Sequence, residues 1–294
     1  MRIMSLDSMA DILHCMEQEG KEFWEVVLAA DMEERQVSRE SSLAKMLTTW
    51  QAMVDASDSY TGDRRSVSGL VGGDGLKMRQ YAIRGKAMSG GYVSEVIAEA
   101  LSMAESNACM CRIVAAPTAG ACGVLPAVLV PLYRRGATEE EMVRALYVAA
   151  GIGAVIGYRA CIAGASGGCQ AEFGSVSAMA AGALTGHRGG GAEAIGSAVA
   201  MALKNLMGLV CAPVAGLVEV PCVKRNVAGA MNAVSCADMA LAGIESRVPV
   251  DQVIDCMGDV GRRMPVEFRE TALGGLAVTP FGQAVKRQMS RKDR

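Results

Sequence analysis

Aromatic residues are scarce in this sequence: tryptophan, tyrosine and phenylalanine together make up 4% of its 294 residues, although 51% are hydrophobic. Glycine (34 residues) and methionine (20 residues) are abundant instead. Small residues let helix backbones approach closely, and methionine side chains fill irregular gaps between them. The composition therefore predicts a large core made of tightly packed helices.

Neither sign of charge dominates, since the net charge is −2 and the isoelectric point lies near 5.8. Without a basic excess, neither nucleic acid nor an anionic membrane is expected as a partner. Acidic residues precede any apolar run of signal-peptide length, so we expect a cytoplasmic protein. The longest uncharged stretch, 113–133, contains three prolines and two glycines and is not expected to span a membrane.

Sustained alternation of apolar and polar residues, the mark of half-buried strands, is missing apart from the short run 217–220. We therefore predict an all-α fold interrupted by glycine-rich loops. No repeat or linker divides the chain, which predicts one domain, 1–294, with 1–57 as a peripheral segment of two helices. Further helices are predicted over 92–106, 139–158 (after a capping box at Thr138 and Glu141), 171–184, 192–209, 226–244 and 251–264.

The ten cysteines lack the CxxC pairs of zinc ribbons and the CxxCxxC run of bacterial ferredoxins. In a chain without an export signal we expect reduced thiols, either packed in the core or binding a metal. Cys169, Cys211 and Cys222 are separated by 42 and 11 residues. Their spacing alone leaves open a metal centre, zinc ligation and plain core packing. Cys109 and Cys111 are ambiguous, because thiols two residues apart on a helix point to different faces.

Two glycine-rich segments precede helices and offer groups that could bind an anion. One is Ser89-Gly90-Gly91, and the other is 116–123, which contains Thr118 and Gly120. Free backbone N–H groups at a helix start favour an anion such as a substrate carboxylate. The alternative is that these residues serve only as caps and turns. Neither segment matches a P-loop or a GxGxxG fingerprint, so nucleotide binding is not expected.

Several short sequence segments, called phrases below, resemble in their order along the chain the α subunit of the iron–sulfur L-serine dehydratases, in their two-chain bacterial form. The resemblance covers nearly the whole chain. The phrases are SGLVGG (68–73), SGG (89–91), IVAAPTAG (113–120), GGCQAE (167–172), GLVC (208–211) and VPCVKRN (220–226).

The resemblance implies a [4Fe–4S] cluster held by Cys169, Cys211 and Cys222, which occupy the family's motif positions. Three thiolates leave one iron without a protein ligand, and that iron can bind substrate as a Lewis acid. Cys122 could in principle be a fourth ligand, but we favour a core or loop thiol there.

The implied reaction deaminates L-serine to pyruvate and ammonia, a step of amino-acid degradation and gluconeogenesis. It needs groups that hold the substrate carboxylate and a base that removes the Cα proton. The candidates for holding the carboxylate are Ser89, Gly90, Thr118 and Gly120. The general base is not identified, because both histidines lie outside the matching phrases; the candidates for internal proton carriers are Lys86, Glu172 and Lys224.

Two features of the resemblance bear on the active site. In the family the other subunit carries a Ser-Ser-His-Thr type motif, which is missing here; this implies that a β subunit completes the active site in a homo- or hetero-oligomer. The family's usual Asp after the middle cysteine is replaced by Ala212. Groups around metal ligands tune the properties of a metal centre. The replacement by Ala212 could therefore alter the reaction rate, the stability of the cluster or the choice of substrate.

Other functions remain open on the sequence alone. A related cluster-dependent enzyme could act on L-threonine or L-cysteine, and a non-catalytic iron–sulfur sensor or assembly partner is a further alternative. A pyridoxal-phosphate dehydratase would perform the same overall reaction but needs a Schiff-base lysine near a phosphate-binding loop, for which Lys86 is the candidate.

Overall fold

A computed structural model of the chain describes residues 7–292. Within that range there are thirteen α-helices and no β-strand, which confirms the predicted all-α fold. A π-helix occupies Gln170–Gly174, and 3-10 turns occupy Val214–Gly216, Val266–Phe268 and Gly275–Val278. The α-helices are α1 (Met9–Glu19), α2 (Phe23–Arg35), α3 (Arg39–Asp58), α4 (Asp74–Ile83), α5 (Gly90–Ala108), α6 (Val124–Arg134), α7 (Glu139–Arg159), α8 (Gly164–Gly167), α9 (Ser175–His187), α10 (Ala192–Leu206), α11 (Cys222–Leu241), α12 (Val250–Arg263) and α13 (Pro280–Lys292).

The amino-terminal segment contains three helices where the sequence predicted two. Gly20 ends α1 with a φ of 64° and Gln36 ends α2 with a φ of 53°, so the chain turns sharply at both places. Glycine is a normal residue for such a left-handed cap, but glutamine is not, and the second break was therefore invisible in the sequence. The division into one domain with 1–57 as a peripheral segment stays a prediction.

Three helices were not predicted, namely the four-residue α8 and the more polar helices α4 and α13. In α4 the only buried residue is Gly75. A Cβ atom there would lie 2.5 Å from the Ser102 hydroxyl oxygen of α5. Helix α4 therefore packs closely on α5 because Gly75 has no side chain, and not through an apolar stripe. The helix predicted over 139–158 is confirmed together with its capping box at Thr138 and Glu141.

Helix α9 lies at the centre of the fold, in contact with α6, α7, α10 and α11. Its residues 175–185 are all buried. A Cβ atom on Gly182 would lie 2.2 Å from Ile152 Cδ1 of α7 and 3.1 Å from Val199 Cγ2 of α10. Glycine at this crossing allows the three helices to pack closely, as the composition predicted.

Helix α7 has the length and apolar composition of a membrane span, and it is the one described helix that does. It packs against α2, α3 and α9. Because the buried core helix of a soluble protein has the same composition, this helix is only weak evidence for a membrane.

Replacing Gly151 of α7 by alanine should destabilise the protein. The new Cβ atom would lie 2.4 Å from Val27 Cγ2 and 3.1 Å from Phe23 Cε1, both on α2. Overpacking of this kind lowers the free energy of unfolding by about 1–3 kcal/mol, which urea denaturation would measure.

The matched control is Gly157→Ala in the same helix, where the nearest atom to the new Cβ is Ile162 Cγ2 at 4.0 Å. Alanine there removes only the entropic cost of a helical glycine and should raise the free energy of unfolding by about 0.5–1 kcal/mol. Equal effects of the two substitutions would show that α2 does not pack on α7 as described.

Candidate active site

A cavity of ≈ 220 Å³ collects side chains from separate parts of the chain. The glycine-rich loop before α6 forms one wall, the π-helix a second, and the segment between α10 and α11 a third. Five residues that the sequence analysis singled out therefore line the same cavity. A sixth lining residue carries a carboxylate that the sequence did not indicate. The residues concerned are Thr118, Gly120, Glu172, Cys211 and Cys222, together with Glu270.

The three predicted cluster cysteines lie close to this cavity. Cys211 and Cys222 line it, and the fully buried Cys169 shares a thiol–thiol hydrogen bond with Cys211. Cys169 directly precedes the π-helix, and Cys222 is the first residue of α11. All three thiols are free. Helix starts and a turn thus gather cysteines that are far apart in sequence.

Burial and hydrogen bonding control the protons on these thiols. The hydrogen bond from the Cys211 thiol, together with the nearby Arg225 guanidinium, holds the pKa of Cys169 below its usual value. The same hydrogen bond and burial raise the pKa of Cys211, and burial raises the pKa of Cys222 to about 12. A metal that binds all three as thiolates would therefore have to displace protons.

Among residues 7–292, no group of three or more His, Cys, Asp or Glu side chains is arranged to hold a single metal ion. An iron–sulfur cluster makes a different demand, because its own iron and sulfide atoms separate the thiolates that hold it. Its usual ligands are cysteine thiolates, and three buried free thiols beside a cavity match that donor set. The residues present therefore fit such a cluster by their chemistry.

Two carboxyl groups, those of Glu172 and Glu270, lie close to each other at the cavity. The Thr118 hydroxyl donates a hydrogen bond of 2.6 Å to Glu172 Oε1. Burial raises the pKa of Glu172, and the negative charge of Glu270 raises it further. A Cβ atom on Gly164 would lie 2.7 Å from Glu172 Oε2 and 2.9 Å from Glu270 Oε2, so glycine leaves room for both carboxyl groups. The site can hold a proton on Glu172 more tightly than an exposed glutamate could.

A buried asparagine, Asn226 of α11, fixes the loop that carries Thr118. Its Oδ1 accepts a hydrogen bond of 2.9 Å from the Gly123 N–H. Its Nδ2 donates to the carbonyl oxygens of Gly120 at 2.9 Å and Cys222 at 3.1 Å. Asn226 lies in the phrase 220–226, but nothing in the sequence marked it as a link between the loop and α11.

A second buried polar contact, also missed in the sequence, ties the loop 58–73 to the turn before α11. The Glu219 side chain is 5% exposed and accepts hydrogen bonds from the hydroxyls of Ser66, at 2.7 Å, and Ser68. The phrase 68–73 therefore adjoins the phrase 220–226 in space. Through Glu219, Ser66 and Ser68 hold the chain just before Cys222.

The remaining predicted site residues do not line this cavity. Ser89 and Gly90 are exposed at the start of α5, whereas the middle of α5 is the part that adjoins the loop at Gly123. Gly90 and Ala100 are ten positions apart, which corresponds to about 15 Å along a helix. Lys86 is also exposed, and Lys224 pairs with Asp74 at the surface at 3.2 Å. Roles for these four residues stay predictions.

Ala212 is buried in a tight place next to the cavity. A Cβ atom on Gly275, which has a φ of 57°, would lie 2.6 Å from Ala212 Cβ. The larger side chain of an aspartate would therefore meet the backbone around Gly275. At this position the local packing suits alanine.

Comparison with known proteins shows extensive similarity. Residues 18–277 match a family described as "Serine dehydratase alpha chain". A probable L-serine dehydratase, alpha chain, of Bacillus subtilis (strain 168) is 45% identical over 266 residues, 90% of this chain and 89% of the relative. An L-serine dehydratase, alpha chain, of Peptoniphilus asaccharolyticus is 38% identical over 289 residues, 98% of this chain and 99% of the relative. An L-serine dehydratase of Escherichia coli (strain K12) is 42% identical over 182 residues, 61% of this chain but 40% of that longer relative.

Substituting Asn226 by alanine should loosen the loop 116–123. The Gly123 N–H and the Gly120 carbonyl lose their partners, at a cost of about 1–3 kcal/mol for each buried group left unsatisfied. We expect faster hydrogen exchange at the Gly123 amide, measured by NMR or mass spectrometry.

Asn232→Ala is the matched control, since Asn232 also lies in α11 but bonds to Ser177 and the Ala202 carbonyl. It should leave exchange at Gly123 unchanged. Protection of Gly123 that survives in Asn226→Ala would contradict the proposed link.

Proposed function

Since this chain belongs to the serine dehydratase alpha chain family, we propose that it deaminates L-serine to pyruvate and ammonia. The observation that carries the proposal is the cavity in which two of the three motif cysteines, Thr118 and Glu172 come together. The reaction would supply pyruvate from amino-acid degradation, including for gluconeogenesis. A cytoplasmic location, in which free thiols stay reduced, fits the ten unbridged cysteines.

We further propose that Cys169, Cys211 and Cys222 hold a [4Fe–4S] cluster. When bound, the cluster supplies a Lewis-acidic iron for the substrate hydroxyl. The Arg225 guanidinium lies beside Cys169 and also donates to the Val210 carbonyl oxygen at 2.8 Å. Its positive charge would stabilise the thiolate form of Cys169, which supports metal binding there.

The chain's own residues can bind the substrate and move a proton. The Gly120 backbone lines the cavity and is suited to the serine carboxylate. The Thr118 hydroxyl also lines the cavity, but its one proton is donated to Glu172, so it can bind the serine carboxylate only if that hydrogen bond is given up. Glu172 can donate its proton to the departing hydroxyl oxygen, which then leaves as water once the Cα proton has been removed. Burial favours this protonated form of Glu172, and the hydrogen bond from Thr118 orients its carboxyl group.

We propose that a second chain supplies the base for the Cα proton. The described residues that line the cavity include neither a histidine nor a lysine. His187 lines a different cavity, which it shares with Trp24 and Glu141. The relatives from Bacillus and Peptoniphilus are named alpha chains, which supports a partner β chain for this protein as well.

The substitution Cys211→Ser should abolish the cluster. We expect a chain purified without oxygen to contain iron and sulfide, and to show a broad sulfide-to-iron absorption band that changes when L-serine is added. Because serine is a poor ligand in place of a thiolate, the variant should lose the band and most of its iron.

Cys236→Ser is the matched control: Cys236 is also buried, but its sulfur contacts Asn205 and Asn232 in α10 and α11. It should keep iron, sulfide and the band. A wild-type chain that stays colourless after anaerobic reconstitution would contradict the cluster. If the chain together with its partner formed no pyruvate from L-serine, the proposed activity would be contradicted; formation of 2-oxobutyrate from L-threonine, or of pyruvate and sulfide from L-cysteine, would instead assign a related substrate.

Glu172→Gln tests the proton-donating role in the complex of this chain with its partner. Glutamine keeps the shape of the side chain but has no acidic proton, so kcat should fall about 10²- to 10⁴-fold. The absorption band should remain. The high-pH limb of the activity profile, which reflects loss of the Glu172 proton, should disappear.

Glu193→Gln, at an exposed position in the first turn of α10, is the control for removing a carboxylate and should leave kcat unchanged. An unaltered pH profile in Glu172→Gln would assign the proton to another group.

A further inference from the structure

The carboxyl end of α5 carries two cysteines that the proposed reaction does not use. The N–H of Met110 donates to the Asn107 carbonyl at 3.0 Å, and that of Cys111 donates to the Ser106 carbonyl at 2.8 Å. These two bonds form a Schellman motif. Met110 has a φ of 60°, in the left-handed position that usually belongs to glycine. The chain therefore reverses between Cys109 and Cys111.

This reversal brings the two cysteine side chains to the same side. The Cys111 sulfur folds back to 3.8 Å from the Cys109 carbonyl oxygen, and both residues line one small pocket. Cα atoms two residues apart are separated by at most about 7.6 Å in an extended chain, and a turn shortens that distance. Disulfides span Cα separations of about 4.4–6.8 Å. A bond between the two sulfurs thus needs only local movement.

Arg64, from the loop after α3, makes the two thiols chemically different. Its Nη1 donates a hydrogen bond to the Cys111 sulfur at 3.4 Å. The contact places a positive charge beside the Cys111 sulfur, which carries negative charge during thiol–disulfide exchange. Burial, and then the charge of Cys111, raise the pKa of Cys109. Cys111 is therefore suited to attack an external disulfide first, and Cys109 is suited to attack the Cys111 sulfur afterwards.

We propose that Cys109 and Cys111 are a reversible dithiol–disulfide pair that a small-molecule disulfide oxidises. The Cys111 thiolate attacks one sulfur of the oxidant, forms a mixed disulfide and releases one thiolate. The Cys109 thiol then loses its proton and attacks the Cys111 sulfur, which forms the internal disulfide and releases the second thiolate. Two electrons pass from the pair to the oxidant. Neither sulfur belongs to the proposed cluster.

The test uses the full chain, kept without oxygen and treated with oxidised glutathione. Free thiols are then blocked with iodoacetamide, and the protein is digested with trypsin. Cleavage after Lys86 and Arg112 releases a peptide, 87–112, in which Cys109 and Cys111 are the only cysteines. We expect this peptide to become two hydrogen atoms lighter and to carry no alkyl group, and to return to the dithiol form with a reducing agent.

Three variants separate the steps. Cys109→Ser should stop at a mixed disulfide between Cys111 and glutathione, and Cys111→Ser should leave Cys109 largely unreacted. Arg64→Gln should slow alkylation of Cys111 about three- to fivefold, because a charge–charge attraction at a half-exposed site is lost. Alkylation of the exposed Cys256, which contacts Met207, should not change in this variant.

The proposal fails if peptide 87–112 still carries two alkyl groups at a time when Cys256 has formed a mixed disulfide. It also fails if both positions bind glutathione without forming an internal bond. The measurement does not depend on the cluster or on serine turnover, so its outcome is separate from that of the proposed function.

Discussion

The amide of Asn226 makes hydrogen bonds with Gly120, Gly123 and Cys222 while its side chain is fully buried. One side chain thus satisfies backbone groups of the glycine-rich loop and of the start of α11. Without it, the loop would bury a donor and an acceptor with no partner. This arrangement sets the contact between Thr118 and Glu172. It also sets the position of Cys222 beside the same cavity.

The cavity combines groups that are costly to bury together. Its thiols and the Glu172 carboxyl are all shielded from water, and burial favours their neutral forms. Arg225 is the nearby positive charge, and it acts on Cys169. A positively charged metal centre would favour the thiolate forms of the buried cysteines, which burial alone disfavours. The Glu172 proton would then be available for chemistry at the substrate.

Much of the fold could be predicted from the sequence because long helices with regular patterns are determined locally. The helices from α7 to α12 were predicted within a few residues, apart from the four-residue α8 and the π-helix before α9. The helices that were missed depend on other features: α4 is seated through Gly75, and the break before α3 depends on a left-handed glutamine. Such features follow from contacts with neighbours, which a single sequence does not show.

The sequence by itself determined the all-α class and the family, because helix periodicity and the order of short sequence motifs are properties of the linear chain. Tertiary structure decided which polar groups share a cavity. It brought Glu270 next to Glu172, held the loop with Asn226, and left Ser89 and Lys86 outside. The reason is physical: these contacts join residues that are distant in sequence, and only helix packing sets the distances between them.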